Sequence, residues 1–352
     1  MATSVQVKPK KVFLKVMSMS CADGGSLVQM RTILNKSFEN LGKFIPMHQH
    51  FLSRRFGAGL CLAIALSGCG SLSTTTPTLD VGQNPKLTER RELKLGLALG
   101  GGAARGFAHL GVIEVLEEAG LRPSHVVGTS AGSLVAALYA SGKSTAELAR
   151  MAETMQEADI TDWMLPILNR GALRGEALAR YVNIQVGGRN LEQMKIPLGI
   201  VATDLKSGDA ITFRRGNTGA AVRASSAVPA VFQPVRIGER EYVDGGLVAP
   251  VPVRQTREMG ANFVIAVDIS SDPEGNPSSD TFQILMQTFT IMGKTINTLA
   301  LKEADLVIRP ALTGVKSADF SARMRSIEAG RVAMRAALPA LKVRLAQFEE
   351  GR

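Results

Sequence analysis

Apolar positions along the chain keep two rhythms, and the alternation between them predicts the fold. Leu93–Leu99 is an almost unbroken apolar run, the pattern of a strand buried on both faces, and it ends at Gly100-Gly101-Gly102-Ala103-Ala104-Arg105-Gly106. From Phe107 to Ala119 the spacing becomes helical (Leu110, Ile113, Val115, Leu116) and stops at Gly120, a C-cap residue. His125–Gly128 predicts a second short strand and Ala131–Ala140 a second helix. Strand, turn and helix twice over is the order of an α/β fold with a parallel sheet. Helical spacing recurs at Thr145–Ala158 and Glu176–Gln185. Strand patterns recur at Leu198–Asp204, Ala210–Phe213, Val264–Asp268 and Leu306–Ile308. Phe282–Ala300 predicts a long apolar helix; the sequence leaves open whether it packs on the sheet or touches a membrane, and the lack of a basic face favours the sheet. The tail, Ala322–Phe348, reads as a polar-faced amphipathic helix interrupted near Pro339. There is no internal repeat.

A different pattern precedes this domain. Arg54-Arg55 lead into an apolar run, Phe56 to Gly68, ending Leu66-Ser67-Gly68-Cys69. A positive flank, a short apolar stretch and small residues before a cut site make a secretory signal, and the run is shorter than the ~20 residues that span a bilayer. Leu-Ser-Gly-Cys resembles the bacterial lipobox, in which the cysteine is acylated and becomes the first mature residue. Gly70 after the cysteine then implies, by resemblance to Gram-negative lipoproteins, the outer membrane on its periplasmic side. Residues 47–68 are the expected signal peptide, with Met47 (or, second, Met30) the expected start and 1–46 a mis-called extension. Residues 69–92 carry the anchor and a Ser/Thr/Pro/Gly-rich tether over Ser71–Lys86.

Charge and cysteine content narrow the classes further. The net charge of +10 would suit nucleic acid, but +7 of it lies in residues 1–68, and the rest lacks a basic patch with interleaved aromatics. Nucleic-acid binding is therefore not expected. The three cysteines are Cys21, Cys61 and Cys69, so no disulfide can form beyond residue 69. No His, Cys or Asp cluster at metal-ligand spacing stands out, and neither a metal nor an organic cofactor is expected.

Three segments carry chemistry. Gly128-Thr129-Ser130-Ala131-Gly132 is a G-x-S-x-G between a strand and a helix. A serine on so sharp a turn needs small residues two places away on either side, and its hydroxyl stands at the strand's C-terminal end, where α/β sheets bind ligands. The competing reading is a small-residue turn with a capping serine. The glycine loop offers backbone N–H groups beside a helix start, an anion site. A dinucleotide loop would want an acidic residue ending the second strand, and a P-loop would want Gly-Lys-Ser/Thr; neither is present, which leaves an oxyanion hole. The third segment is Tyr242-Val243-Asp244-Gly245-Gly246, where the aspartate could be a simple β-turn residue. Elimination favours it, because a serine nucleophile needs a base and the histidines are only His48, His50, His109 and His125. None follows Ser130, so the Ser, acid, His order of an α/β-hydrolase cannot be built. His109 is expected to be a packed helix residue.

In this order the three segments resemble the patatin-like phospholipases over about Leu93 to Arg257, with the stretch Ala224-Ser225-Ser226-Ala227-Val228-Pro229, Phe232 and Arg105-Gly106 adding to the match. Leu97–Leu116 and Glu303–Pro310 look most like bacterial members related to neuropathy target esterase. The resemblance implies a three-layer sandwich, a mainly parallel sheet with helices on both faces. It implies Ser130 as nucleophile, Asp244 as its base, and oxyanion donors among Gly101, Gly102 and Ala103. Gly100, Arg105, Gly106, Gly128, Gly132, Gly245 and Gly246 would support the motifs. One departure stands out: the family's third glycine is Ala103 here, tolerable if its φ is negative. The implied substrate is a phospholipid or lysophospholipid ester, cleaved without calcium by a chain anchored at Cys69. The implied hydrolase domain is 93–312, with its motif-bearing core at 95–257, and 313–352 forms a C-terminal helix. The rivals are a non-catalytic envelope scaffold, a carboxylesterase or thioesterase with no preference for lipid, and a nucleotide-binding protein.

Overall fold

The computed structural model describes residues 92–162, 171–274, 276, 278–316 and 319–351. The expected signal peptide, Cys69 and the tether lie outside these residues. The elements run β1 (Leu95–Leu99), α1 (Ala108–Glu118), β2 (His125–Thr129), α2 (Ala131–Ala140), α3 (Thr145–Thr154), β3 (Gly171–Leu173), α4 (Glu176–Gln185), β4 (Leu198–Asp204) and β5 (Ala210–Phe213). After these come α5 (Thr218–Ser225), β6 (Ala230–Phe232), β7 (Val235–Ile237), β8 (Arg240–Asp244), α6 (Val253–Glu258), β9 (Phe263–Val267), α7 (Thr281–Ala300), β10 (Leu306–Ile308) and α8 (Arg323–Glu349).

The main sheet has the order β10-β9-β1-β2-β4-β8-β7, with β5 also paired to β4. From β10 to β4 every pairing is parallel, whereas β5, β7 and β8 join antiparallel. The fold is thus α/β with a mixed, mostly parallel sheet. A separate parallel pair joins β3 to β6.

Alternation along β1 explains the layers. Leu95, Leu97 and Leu99 pack in one cluster with Val112 and Leu116 of α1, Ala136 of α2 and Met334 of α8. Ala98 faces the other way, against Val253 of α6 and Val264 and Ala266 of β9. The second face tolerates only small residues, since a Cβ at Gly96 would lie 2.5 Å from both Ala261 Cβ and Thr256 Cγ2. Large side chains therefore crowd one face, and each fully buried leucine there contributes roughly 1.5–3 kcal/mol.

Two expectations change. α8 is one continuous helix with Pro339 inside it. A proline removes one N–H and crowds one carbonyl, but Met334 and Leu341, fully buried on either side, hold the helix to the core. α7 is not core, because Asn297 is its only buried residue. The segments between Thr218 and Glu258 hold α5, β7, β8 and α6, none of which the apolar pattern had announced.

Candidate active site

Strand register brings Ser130 and Asp244 together. β2 runs parallel to β4 and ends with Thr129 opposite Val201, while β8 runs antiparallel and ends with Asp244 opposite Ala202. Residues 200–201 pair with both β2 and β5, and 202–203 with both β5 and β8. β2 and β8 therefore share one edge of β4, end to end, and their last residues abut. Side-chain bonds fix both ends: Thr129 Oγ1 donates to Ala249 O (2.9 Å) and Thr203 Oγ1 to Asp244 O (2.7 Å). Gly245 is pressed so close to β4 that a Cβ would fall 2.3 Å from Val201 O.

Ser130 sits on the sharp turn the sequence predicted, with φ 53° and ψ −123°. A non-glycine residue held there costs of order 1–3 kcal/mol, supplied by surrounding structure. The small neighbours are obligatory. A Cβ at Gly128 would lie 2.3 Å from Gly132 O, and one at Gly132 would lie 2.2 Å from Leu99 O. The Ser130 N–H donates to Ser225 Oγ (2.9 Å), and the Ser225 hydroxyl donates to Val201 O (2.5 Å). Ser225 thus ties the turn to β4, a role that its place in a small-residue stretch did not reveal.

Asp244 is buried, as a carboxylate acting as base requires. Its Oδ1 accepts from Gly246 N (2.6 Å), and its Oδ2 is buried with no partner. Desolvation pushes its pKa up from 3.8 to about 6, with the Ser130 hydroxyl and the Gly246 N–H pulling the other way. Ser130 is therefore near enough to act on the carboxyl, yet no aligned hydrogen bond joins the pair.

The glycine loop differs from expectation at two places. Gly101 is not a free donor: its N–H is spent on Pro250 O (2.9 Å), as that of Gly100 is on Val267 O (3.0 Å). These bonds bolt the loop to the segment after β8 and to β9. Among the described residues no acceptor takes the N–H of Gly102, Ala103 or Ala131, and all three residues line the cavity around Ser130. Ala103 has φ 50°, not the negative value that would make its methyl easy, so the third position keeps a glycine-like backbone without a glycine.

Two buried side chains hold the loop from behind. Arg105 donates from Nε to Ile269 O (2.9 Å), its pKa lowered by burial against the pull of Asp268. His109 is fully buried, as expected of a packed helix residue, and its Nε2 lies 2.8 Å from Gly100 O. Burial lowers its pKa to about 4, so the ring is neutral and Nε2–H is the donor; Nδ1 has no partner. Gly106 closes the group, since a Cβ there would meet Ala131 Cβ at 2.9 Å.

Ser130, Asp244, Gly102 and Ala103 line one cavity of about 640 Å³. Its walls are largely apolar, from Leu134, Leu148, Met151, Met155, Phe232 and Phe289 among others. That size and character suit a largely apolar ligand held by a few polar groups. Among the described residues no three His, Cys, Asp or Glu side chains gather closely enough to hold a metal ion.

Residues 97–257 match the family described as patatin-like phospholipase. An uncharacterized NTE family protein of Mycobacterium tuberculosis is 37% identical over 188 residues, 53% of this chain and 52% of that protein. Patatin-like phospholipase domain-containing protein 6 of Mus musculus is 30% identical over 215 residues, 59% of this chain and 16% of that one. Among solved structures, VipD from Legionella pneumophila superposes with a TM-score of 0.49 at 15% identity, covering 71% of this chain and 68% of the other. The chain spans about half the length of the mycobacterial relative.

Proposed function

The chain is patatin-like over residues 97–257, and from that premise we propose that it is a serine hydrolase of lipid acyl esters, of phospholipase A or lysophospholipase type. The observation that carries the reading is the meeting of a strained Ser130 turn and a buried, half-unpartnered Asp244 at one edge of β4. Ser130 Oγ attacks the ester carbonyl while its proton passes to Asp244 Oδ2, whose lone pair has no other claimant. The tetrahedral oxyanion is held by the N–H groups of Gly102, Ala103 and Ala131, at the positive end of α2. Collapse expels the alcohol, which takes the proton from Asp244. Water then attacks the acyl-serine, giving its proton to Asp244, and the acid leaves with Ser130 regenerated. A carboxyl whose pKa is pushed up to about 6 can serve as base near neutral pH, where an ordinary aspartate would be too weak.

A fluorophosphonate probe on the purified full chain tests this. Ser130 should be labelled, and Ser130→Ala should lose both labelling and hydrolysis of phospholipid vesicles. The competing reading is a non-catalytic scaffold, favoured by the missing aligned Ser130–Asp244 bond; an unlabelled Ser130 in folded protein decides for it. The same reading takes Cys69 as a lipid anchor holding the enzyme at the periplasmic side of an outer membrane. Palmitate incorporation lost in Cys69→Ser checks that part independently.

A further inference from the structure

We propose that the outward face of α7 docks on a lipid bilayer and sets the mouth of the Ser130 cavity against the hydrocarbon. The proposal deepens, and rests on, the lipid-ester reading above. α7 has a composition unusual for a surface helix: of its 20 residues only Lys294 is charged, and its ammonium is paired with Asp272 (3.2 Å). Phe282, Ile284, Leu285, Ile291, Met292 and Leu299 stand between 37% and 66% exposed. A solvated helix face would carry charges at those positions.

The polar residues between them do not offset this. Thr288, Thr295 and Thr298 are exposed, yet each turns its hydroxyl back to donate to the carbonyl four residues earlier, Ile284 O (2.9 Å), Ile291 O (3.1 Å) and Lys294 O (2.8 Å). Their polarity is satisfied inside the helix and their methyls are left for the surroundings. Hydroxyls satisfied in this way can enter a medium that offers no hydrogen bonds without further cost.

The other face of the same helix lines the catalytic cavity through Met286, Phe289 and Gly293. Phe282 belongs to both surfaces, half exposed and lining the cavity, so the outer apolar face runs without a break into the cavity wall. An acyl chain passing from a bilayer along this path stays in apolar surroundings. A protein partner or a second copy of the chain would instead cap the mouth, and the one charge on this helix, Lys294 at the cavity rim, is already paired with Asp272. Among the described residues no helix is long and apolar enough to cross a membrane, and the docking proposed here lays α7 along the bilayer surface.

The test places a reporter on the face itself, because the chain's N-terminal residues could bind membrane independently. In full-length Ile291→Trp, the new indole should be quenched by vesicles of brominated phosphatidylethanolamine and phosphatidylglycerol, more strongly than in a lipid-free dimer-forming concentration series. The triple variant Ile284→Gln, Ile291→Gln, Leu299→Gln, none of which lines the cavity, should bind those vesicles ~10-fold more weakly or worse, since three half-buried side chains are withdrawn from lipid. It should keep turnover of a water-soluble short-chain ester while vesicle hydrolysis falls in step with binding. An unquenched indole, or undiminished vesicle binding and hydrolysis in the triple variant, overturns the proposal, as does a wild-type dimer that the triple variant abolishes. If neither protein cleaves any ester, the hydrolase reading fails, and quenching still decides whether this face meets lipid.

Discussion

Asp244 shows how burial converts a common side chain into a usable base, and what that demands in return. Ionised above pH 6, it is a buried charge satisfied on one oxygen only. The shift from 3.8 to about 6 corresponds to about 3 kcal/mol of destabilisation in the charged form. Asp244→Asn can keep the acceptor that Gly246 N–H uses while losing the charge. We expect it to reduce turnover by at least ~10³-fold yet raise the denaturation midpoint at pH 7, measured side by side by ester assay and guanidinium titration. In the wild type, single-turnover acylation should rise with pH and reach half its plateau near pH 6, as the carboxyl loses its proton. A pH-independent rate between 4.5 and ~8 would remove Asp244 from the base role. This residue was legible in the sequence by elimination, since no histidine follows Ser130. Its hydrogen-bond setting was not, because it depends on neighbours from β4 and the loop after α5. Gly101 was misjudged for a similar reason: a motif names amides, but only the fold shows that Pro250 O already takes this one.

At the scale of elements, the site depends on how one helix pair, α1 and α8, packs. α1 and α8 cross with almost no space between them: a Cβ at Gly111 would lie 2.0 Å from Ile327 O, and one at Gly330 would lie 2.0 Å from Ala108 O. Ala108 is the residue before His109, whose ring holds Gly100 O. Pushing these helices apart should therefore loosen the glycine loop as well as the core. Gly111→Ala or Gly330→Ala should destabilise by roughly 1–3 kcal/mol or more and lower kcat with little change in KM for a short ester. A variant that keeps kcat while losing stability would sever the two effects. The glycines gave no warning of this in the sequence, where each reads as a weak spot in a helix. The central β1-loop-α1-β2-α2 unit was legible because its strands are buried on both faces and its helices keep one periodicity. β7 and β8 were not, being short and bearing Arg236, Arg240 and Glu241, which an apolar pattern discards. α7 stayed open between sheet and membrane for the opposite reason: its apolar residues suit either setting, and only the fold shows them facing outward.

For the whole molecule, two of the buried groups of the site, Asp244 and His109, set opposite pH dependences of stability. Asp244 has its pKa raised to about 6, so between pH 4 and 6 the folded chain holds a proton that the unfolded chain has released, and stability falls as pH rises. His109 has its pKa lowered from 6.5 to about 4, so over nearly the same window the unfolded chain takes a proton that the folded chain refuses, and stability falls as pH drops. Each effect is worth about 3 kcal/mol over its full range, and with opposite signs they nearly cancel. Carboxylates held below their ordinary range, such as Asp319, contribute a loss only at more acid pH. Removing either group should expose the other. Asp244→Asn should lose about 3 kcal/mol relative to wild type as pH falls from 6.5 to 4, whereas His109→Gln, which keeps a donor for Gly100 O, should lose a similar amount as pH rises from 4 to 6. Denaturant midpoints across that window decide the matter through differences from wild type, in which every other titration cancels. Parallel curves for all three proteins would mean that neither group is buried in the charge state described. Diverging curves of opposite slope would tie the stability of the whole chain to the two groups around which its site is built.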